Sequence, residues 1–213
     1  MKKIVWDWNG TLFDDIDLCL ECINNLLVHH GLSCLPDKEA YRKVFGFPIE
    51  NYYRAIGFDF TKTSFEELAH EYMEYYQEKS YDCSLVQDAY HVLKQARSLQ
   101  IEQTILSASK KDYLLAQIQK NDVQERVDHI YGIEDIYAHS KLELAKAYMK
   151  TCQKEDEVWF VGDSLHDYEV ASQAGGKCLL VTTGHQSKGR LQQAGVPVLD
   201  SLKECLEVIY AGN

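Results

Sequence analysis

The sequence predicts an α/β protein: a parallel-sheet core interrupted, after its first strand, by an all-helical insertion. Three observations carry that expectation. The chain opens on a short apolar run, Ile4-Val5-Trp6, that ends on Asp7 and turns through Asn9-Gly10. Residues 16–80 then show helical spacing and no convincing strand. From about residue 84, continuously apolar strand-like runs alternate with helical patterns, as expected of a parallel sheet covered on both faces.

In the insertion, Ile16, Cys19, Leu20, Ile23 and Leu27 recur on one helix face, and Gly31 ends the run. A short helix follows Pro36 over Asp37–Phe45, stopped by Gly46-Phe47-Pro48, and another covers Asn51–Ile56. Ser64 and Glu67 have capping-box spacing ahead of Phe65, Leu68, Ala69, Tyr72, Met73 and Tyr76. Most of the tyrosines fall in this segment and just beyond it.

The remainder reads as a helix over Val86–Leu93, a strand at Thr104–Leu106, a helix through Leu114 and Ile118, and a strand at His129–Tyr131. Ser140 and Glu143 form a second capping box before a helix through Ala145 and Met149. Val158–Val161 is an apolar strand, Ala171 and Ala174 lie on a helix, and Cys178–Val181 is the next strand. A helix near Leu191, a short strand at Pro197–Leu199 and a helix from Ser201 complete the chain. The expected division is therefore a core of residues 1–15 and 84–213 around a helical unit of residues 16–83.

Composition narrows the function. With 213 residues and 46% hydrophobic content, the chain can bury a sizeable core. A net charge of −11 argues against nucleic acid or an anionic membrane as the main partner, since either needs a basic patch. Met-Lys-Lys leads straight into the first strand without a secretory apolar segment, and no run approaches the ~18–20 apolar residues of a membrane span. Seven scattered cysteines suit a reducing cytoplasm. Cys19 and Cys22 form a C-x-x-C, but within an amphipathic helix they read as core thiols.

Asp7, Ser107, Lys141, Asp163 and Asp167 all fall at strand ends or a helix start, which share one edge of an open parallel sheet. Oxygen ligands there suit magnesium, and a hydroxyl and an ammonium suit phosphoryl oxygens. Taken singly, Ser107 reads as a turn cap and Lys141 as a solvated charge. Together and in this order they make a hard-cation and phosphate site, with Asp7 available as a carboxylate nucleophile.

These residues resemble the motifs of the haloacid dehalogenase (HAD) superfamily of phosphohydrolases, from Asp7 to about Leu199. The opening Asp7–Leu12, then Ser107, Lys141 and Gly162–Asp167 correspond to its four motifs, and residues 16–83 to its helical cap. The stretches Val181–His185, Ala194–Val196 and Asp200–Leu202 look most like the phosphoglycolate phosphatase branch. The resemblance implies a Rossmann-like, HAD-like core and a magnesium-dependent phosphatase of small phosphorylated metabolites in the cytoplasm. It gives Asp7 as the nucleophile and Ser107, Ala108, Gly10, Thr11 and Lys141 as groups around the phosphoryl oxygens. Asp7, the Asn9 carbonyl, Asp163 and Asp167 would hold magnesium. Arg42, Lys43, Arg54 and Lys62 are candidates to grip an anionic leaving group, or else solvated charges.

One residue departs from the pattern. The family's second Asp, its general acid and base, is Asn9 here, and an amide can neither give nor take that proton. General acid–base catalysis contributes about 10²–10⁴-fold, or roughly 2.7–5.4 kcal/mol. Turnover is therefore expected to be slow and sensitive to the leaving group, with Asn9→Asp helping alkyl esters most. Asp14, Asp15, His166 and His185 are the candidates to replace the acid. The alternatives are a catalytically weak phosphate-binding or regulatory protein, or a phosphonate-cleaving enzyme using Lys38, Lys43 or Lys62. Gly162–Asp167 argues against the dehalogenase branch, which lacks the magnesium carboxylates.

Overall fold

The computed structural model describes residues 1–134 and 141–211. In chain order these form β1 (Lys2–Trp6), β2 (Phe13–Asp14), α1 (Ile16–His29), α2 (Lys38–Val44), α3 (Ile49–Ala55) and α4 (Phe65–Ser80). β3 (Ser84–Leu85), α5 (Ala89–Ser98), β4 (Glu102–Lys110), α6 (Lys111–Lys120), β5 (His129–Ile133) and α7 (Lys141–Met149) follow. The chain continues through β6 (Glu157–Gly162), α8 (Leu165–Ala174), β7 (Lys177–Val181), α9 (Lys188–Leu191), β8 (Val198–Leu199) and α10 (Leu202–Ala211).

Six strands form one parallel sheet in the order β5-β4-β1-β6-β7-β8, with β1 bonded on both sides. Its two faces explain the unbroken apolar strands. Ile4, Trp6 and Ile105 pack with Leu93 of α5, Leu114 and Ile118 of α6, and Leu206 and Ile209 of α10. Val5, Leu106 and Phe160 face the other way, against Ala145 and Tyr148 of α7, Val170 of α8 and Leu191 of α9. Successive strand residues point to opposite faces, so a sheet covered on both sides needs apolar residues at every position. Burying each large side chain contributes about 1.5–3 kcal/mol.

The strand order reverses beside β1, because β4 lies on one side and β6 on the other. The crevice at such a switch point, outside the carboxyl ends of the strands, is where open α/β sheets bind ligands.

Helices α1–α4 enclose an apolar cluster of their own, built on Ile23, Leu27, Tyr53, Leu68 and Tyr76. Cys19 and Cys22 belong to it, and all seven cysteines are free thiols. α4 begins on the expected capping box, with Ser64 accepting from the Glu67 backbone and Glu67 returning to Ser64. The two ends of this helical stretch meet in a short antiparallel pair, Phe13 opposite Leu85 and Asp14 opposite Ser84. Periodicity misses this pair because two-residue strands carry no pattern. α5 starts at Ala89 rather than Val86, because Asp88 takes a left-handed conformation at φ 65° that an Asp tolerates. α7 is present from Lys141, while Ser140, its expected capping residue, lies outside the described residues. Among the described residues no helix is long and apolar enough to cross a membrane.

Candidate functional site

The site is built on the loop that leaves β1. Alternation continues past the strand end: Trp8 is fully buried, stacked on Phe13 at 5.2 Å and donating to Gln117 Oε1 at 2.9 Å. Its neighbours Asp7 and Asn9 therefore face the other way, into a cavity beneath the helical insertion. The backbone N–H of Asp7 donates to the Val161 carbonyl at 2.9 Å, which carries the β1–β6 ladder up to the site. Gly10 turns the loop at φ +72°, and a Cβ there would lie 2.6 Å from Asp163 Oδ2. Only glycine suits that position.

Lys141, the first residue of α7, is buried and donates 2.5 Å bonds to Asp7 Oδ1 and Asp167 Oδ1. Asp167 sits in the first turn of α8, whose capping box with Ser164 engages its other oxygen. Oδ2 accepts from Ser164 Oγ at 2.6 Å and from the backbone N–H groups of Ser164 and Asp163. Both Asp167 oxygens are thus occupied, and Asp167 chiefly fixes Lys141. Asp163 Oδ1 accepts from the Thr11 hydroxyl at 3.1 Å and Oδ2 from the His185 backbone N–H. Gly184 leaves room for this, since a Cβ there would lie 2.0 Å from Asp163 Oδ2.

One ammonium is thus bonded to two of the three carboxylates gathered here. Burial, opposed by Lys141 and reinforced by Asp167 and Asp163, pushes the Asp7 carboxyl up to about 8. Burial also raises Asp163, while the Lys141 charge overcomes burial to lower Asp167. Burial works against the charge of Lys141, but Asp167 and Asp7 raise it above its ordinary value. Carboxylate oxygens of Asp7, Asp163 and Asp167 lie within 4.8 Å of one another. An all-oxygen set with excess negative charge fits a hard divalent cation. A cation reaching Asp167 would have to exchange one of its existing bonds.

Asn9 is fully engaged. Its Nδ2 donates to Asp15 Oδ2 at 2.8 Å and to the Tyr76 hydroxyl at 2.9 Å, and its Oδ1 accepts from Ser109 Oγ at 2.6 Å. The carboxylate dictates which way the amide points, because it can only accept. Tyr76 in turn donates to Asp15 Oδ2 at 2.7 Å. Asp15 faces His185 Nε2 at 3.3 Å, and the other ring nitrogen of His185 meets the Tyr41 hydroxyl at 3.0 Å. Burial opposes both charges of this pair, but the pairing wins: Asp15 is lowered and His185 raised to about 9.

The structure therefore brings Asp7, Asn9, Ser107, Ala108, Lys141, Asp163 and Asp167 to one cavity. Thr11 and Gly10 stand behind it against Asp163. Of the four groups considered as substitute acids, Asp15 and His185 line the cavity, whereas Asp14 is exposed on β2 and His166 stacks on Phe47 at 4.4 Å outside the lining.

The expected gripping cations are not in the lining. Arg54 lies over the Phe60 ring, 4.2 Å from its centroid. Arg42 donates to the carbonyls of Gly184 at 2.8 Å and Thr183 at 3.3 Å, tying α2 to the loop after β7. Lys38 and Lys43 pair with Asp17 and Glu39 at the surface, and Lys62 is exposed. None of Lys38, Lys43 and Lys62, the lysines named for phosphonate cleavage, lines the cavity. The cavity wall is instead aromatic, a property foreshadowed only by the crowding of tyrosines in residues 41–81.

A sequence model of the family described as haloacid dehalogenase-like hydrolase matches residues 4–181. No curated protein matches the chain. Among solved structures, a predicted phosphatase from Clostridium acetobutylicum is similar at 17% identity and TM-score 0.83, covering 98% of each chain. A haloacid dehalogenase-like family hydrolase from Streptococcus pneumoniae is similar at 20% identity and TM-score 0.81, covering 96% of each. A predicted phosphoglycolate phosphatase from Haemophilus somnus is similar at 16% identity and TM-score 0.76, covering 98% of this chain and 97% of the other.

Proposed function

From a chain that belongs to the haloacid dehalogenase-like hydrolases, we propose a magnesium-dependent phosphohydrolase of small phosphorylated metabolites that works through a phosphorylated Asp7. The observation that carries this reading is the Asp7 carboxylate at the end of β1, in a cavity with Lys141 bonded to its Oδ1 and Ser107 and Asp163 beside it. The helical insertion acts as the cap of this site.

Asp7, the Asn9 backbone carbonyl and Asp163 would hold magnesium, with Asp167 behind them. The metal, when bound, supplies charge stabilisation for the phosphoryl oxygens and lets Asp7 remain ionised. Lys141 holds the nucleophile and meets the transferred group, and the Ser107 hydroxyl donates to a phosphoryl oxygen. An Asp7 oxygen attacks phosphorus, and the bond to the leaving oxygen breaks with its electron pair on that oxygen. Water then attacks the phosphoaspartate, the phosphorus–Asp7 bond breaks, and phosphate leaves with the carboxylate restored.

The test is phosphate release from para-nitrophenyl phosphate, acetyl phosphate and phosphoglycolate with and without magnesium. Asp7→Asn should abolish magnesium-dependent turnover of all three. The Asn9 amide favours a second reading, a phosphate-binding protein with little turnover. Tight phosphate binding by pure protein that hydrolyses none of these esters would establish it.

A further inference from the structure

The cavity over Asp7 has two unlike ends. Asp7, Ser107, Lys141 and Asp163 form the polar floor, while Tyr41, Phe45, Tyr52, Phe65, Tyr72 and Met73 of the insertion form much of the opposite wall. The cavity, open to solvent on one side, has a volume of about 190 Å³. An apolar cavity of about 150 Å³ accepts a benzene molecule, so the space is of the order of one ring.

The cations in the described lining are Lys141, His185 and Lys110. Lys141 is bonded to Asp7 and Asp167, and His185 to Asp15. Lys110 ends β4, beyond Ser107–Ser109 and outside the insertion, and lies 5.2 Å from the centre of the Tyr113 ring. Among the described residues, the insertion's share of the lining therefore offers a leaving-group carboxylate no cation, whereas a planar apolar group meets aromatic faces and edges there.

Asn9 supplies the second, independent constraint. Its amide can give no proton to the leaving oxygen, and its polar atoms are already bonded to Asp15, Tyr76 and Ser109. His185, the other proton carrier in the lining, is held between Asp15 and the Tyr41 hydroxyl, so a leaving group that departs without a proton must be stable as an anion. Phenols ionise near about 10, while alkyl alcohols, like water, hold their protons far more tightly.

Both constraints select the same chemistry. We propose that the substrates are aryl phosphate monoesters, with the phosphoryl group over Asp7 and the ring against the aromatic wall. This rests on the phosphohydrolase reading above. Asp7 attacks phosphorus, the bond between phosphorus and the aryl oxygen breaks, and its electron pair leaves on the phenolate. The phenolate takes its proton from solvent water. A second water attacks the phosphorus of the phosphoaspartate, the phosphorus–Asp7 bond breaks with its electron pair on the carboxylate, and the water's protons leave on phosphate or pass to solvent.

The proposal is tested first by binding, with calorimetry on the magnesium-loaded full chain and two phosphonates that carry no ester bond. Phenylphosphonate should bind at least about tenfold more tightly than phosphonoacetate. Met73→Lys, which sets a cation in the wall, should narrow or reverse that preference. Should this variant not fold, the wild-type comparison stands alone. In parallel, kcat/KM is measured for phenyl phosphate, acetyl phosphate and phosphoglycolate. Acetyl phosphate has the better leaving group but no ring, so a lower KM for phenyl phosphate reports the wall and not the bond. Phosphonoacetate binding as tightly as phenylphosphonate, or phosphoglycolate turned over as well as phenyl phosphate, overturns the aryl assignment and leaves the hydrolase standing. Selective phenylphosphonate binding without turnover of any ester keeps the aromatic site and overturns the hydrolase.

Discussion

The Asn9 amide donates to Asp15 Oδ2 at 2.8 Å, and Asp15 is itself paired with His185. The residue standing where the family carries an acid is thus the donor in a buried network, and a carboxylate in its place would face Asp15. Asn9→Asp should lower stability at pH 7 by roughly 1–3 kcal/mol, the usual cost of a buried polar group losing its partner. The two carboxylates should share a proton, raising a folded-state pKa above its unfolded value. The penalty is then present above that raised pKa and is relieved as pH falls below it. Urea melts at pH 7 and pH 5 measure this, and an unchanged difference between wild type and variant would count against the geometry. The simple gain in alkyl-ester turnover expected from the sequence should appear mainly on the acid side.

Magnesium should stabilise the wild type through the charge excess around Asp7 and Asp163. At a concentration one hundred times its Kd, a ligand bound only by the folded state adds about 2.7 kcal/mol. Asp163→Asn should lose most of that increment while remaining folded without metal, since it removes a buried charge that burial already disfavours. Thermal melts with and without magnesium give the comparison.

Asp7→Asn should leave Lys141 held by Asp167. Turnover should fall to background, while metal-free stability is unchanged or higher, because one of three crowded carboxylates has gone. A large loss of stability instead would mean that Asp7 is a structural residue.

Arg42 is bonded to two core carbonyls, and Arg42→Ala should loosen α2 from the loop at residues 183–184. A loss of about 1–2 kcal/mol is expected, below the sum for two charged bonds because one of them is long and the side chain is only half-buried. Faster proteolysis within the helical insertion is the second readout.

Tyr52 is buried, and its hydroxyl has no hydrogen-bond partner among the described residues. Tyr52→Phe should keep or raise stability, by up to about 1 kcal/mol, since it removes an unpaid desolvation cost without leaving a cavity. A clear loss would reveal a partner for this hydroxyl in solution.

The elements legible in the sequence are those governed by local rules. The apolar runs of β1, β6 and β7, the Ser64–Glu67 capping box and the Gly10 turn each depend on residues a few positions apart. Asp7, Ser107, Lys141 and Asp163 were legible too, because parallel strands place their carboxyl ends on one edge whatever the loops do. What only the tertiary structure decided depends on contacts across long stretches of chain. Asp15 meets His185 across 170 positions and Tyr76 across 61. Arg42 and Arg54 carry the charge expected of gripping residues, but packing directs one to backbone carbonyls and the other to an aromatic ring. Sequence thus determined the sheet edge and its chemistry. The fold of the insertion over that edge decided that its wall is aromatic and that Asn9 serves Asp15, since where a side chain comes to rest depends on all the elements packed around it.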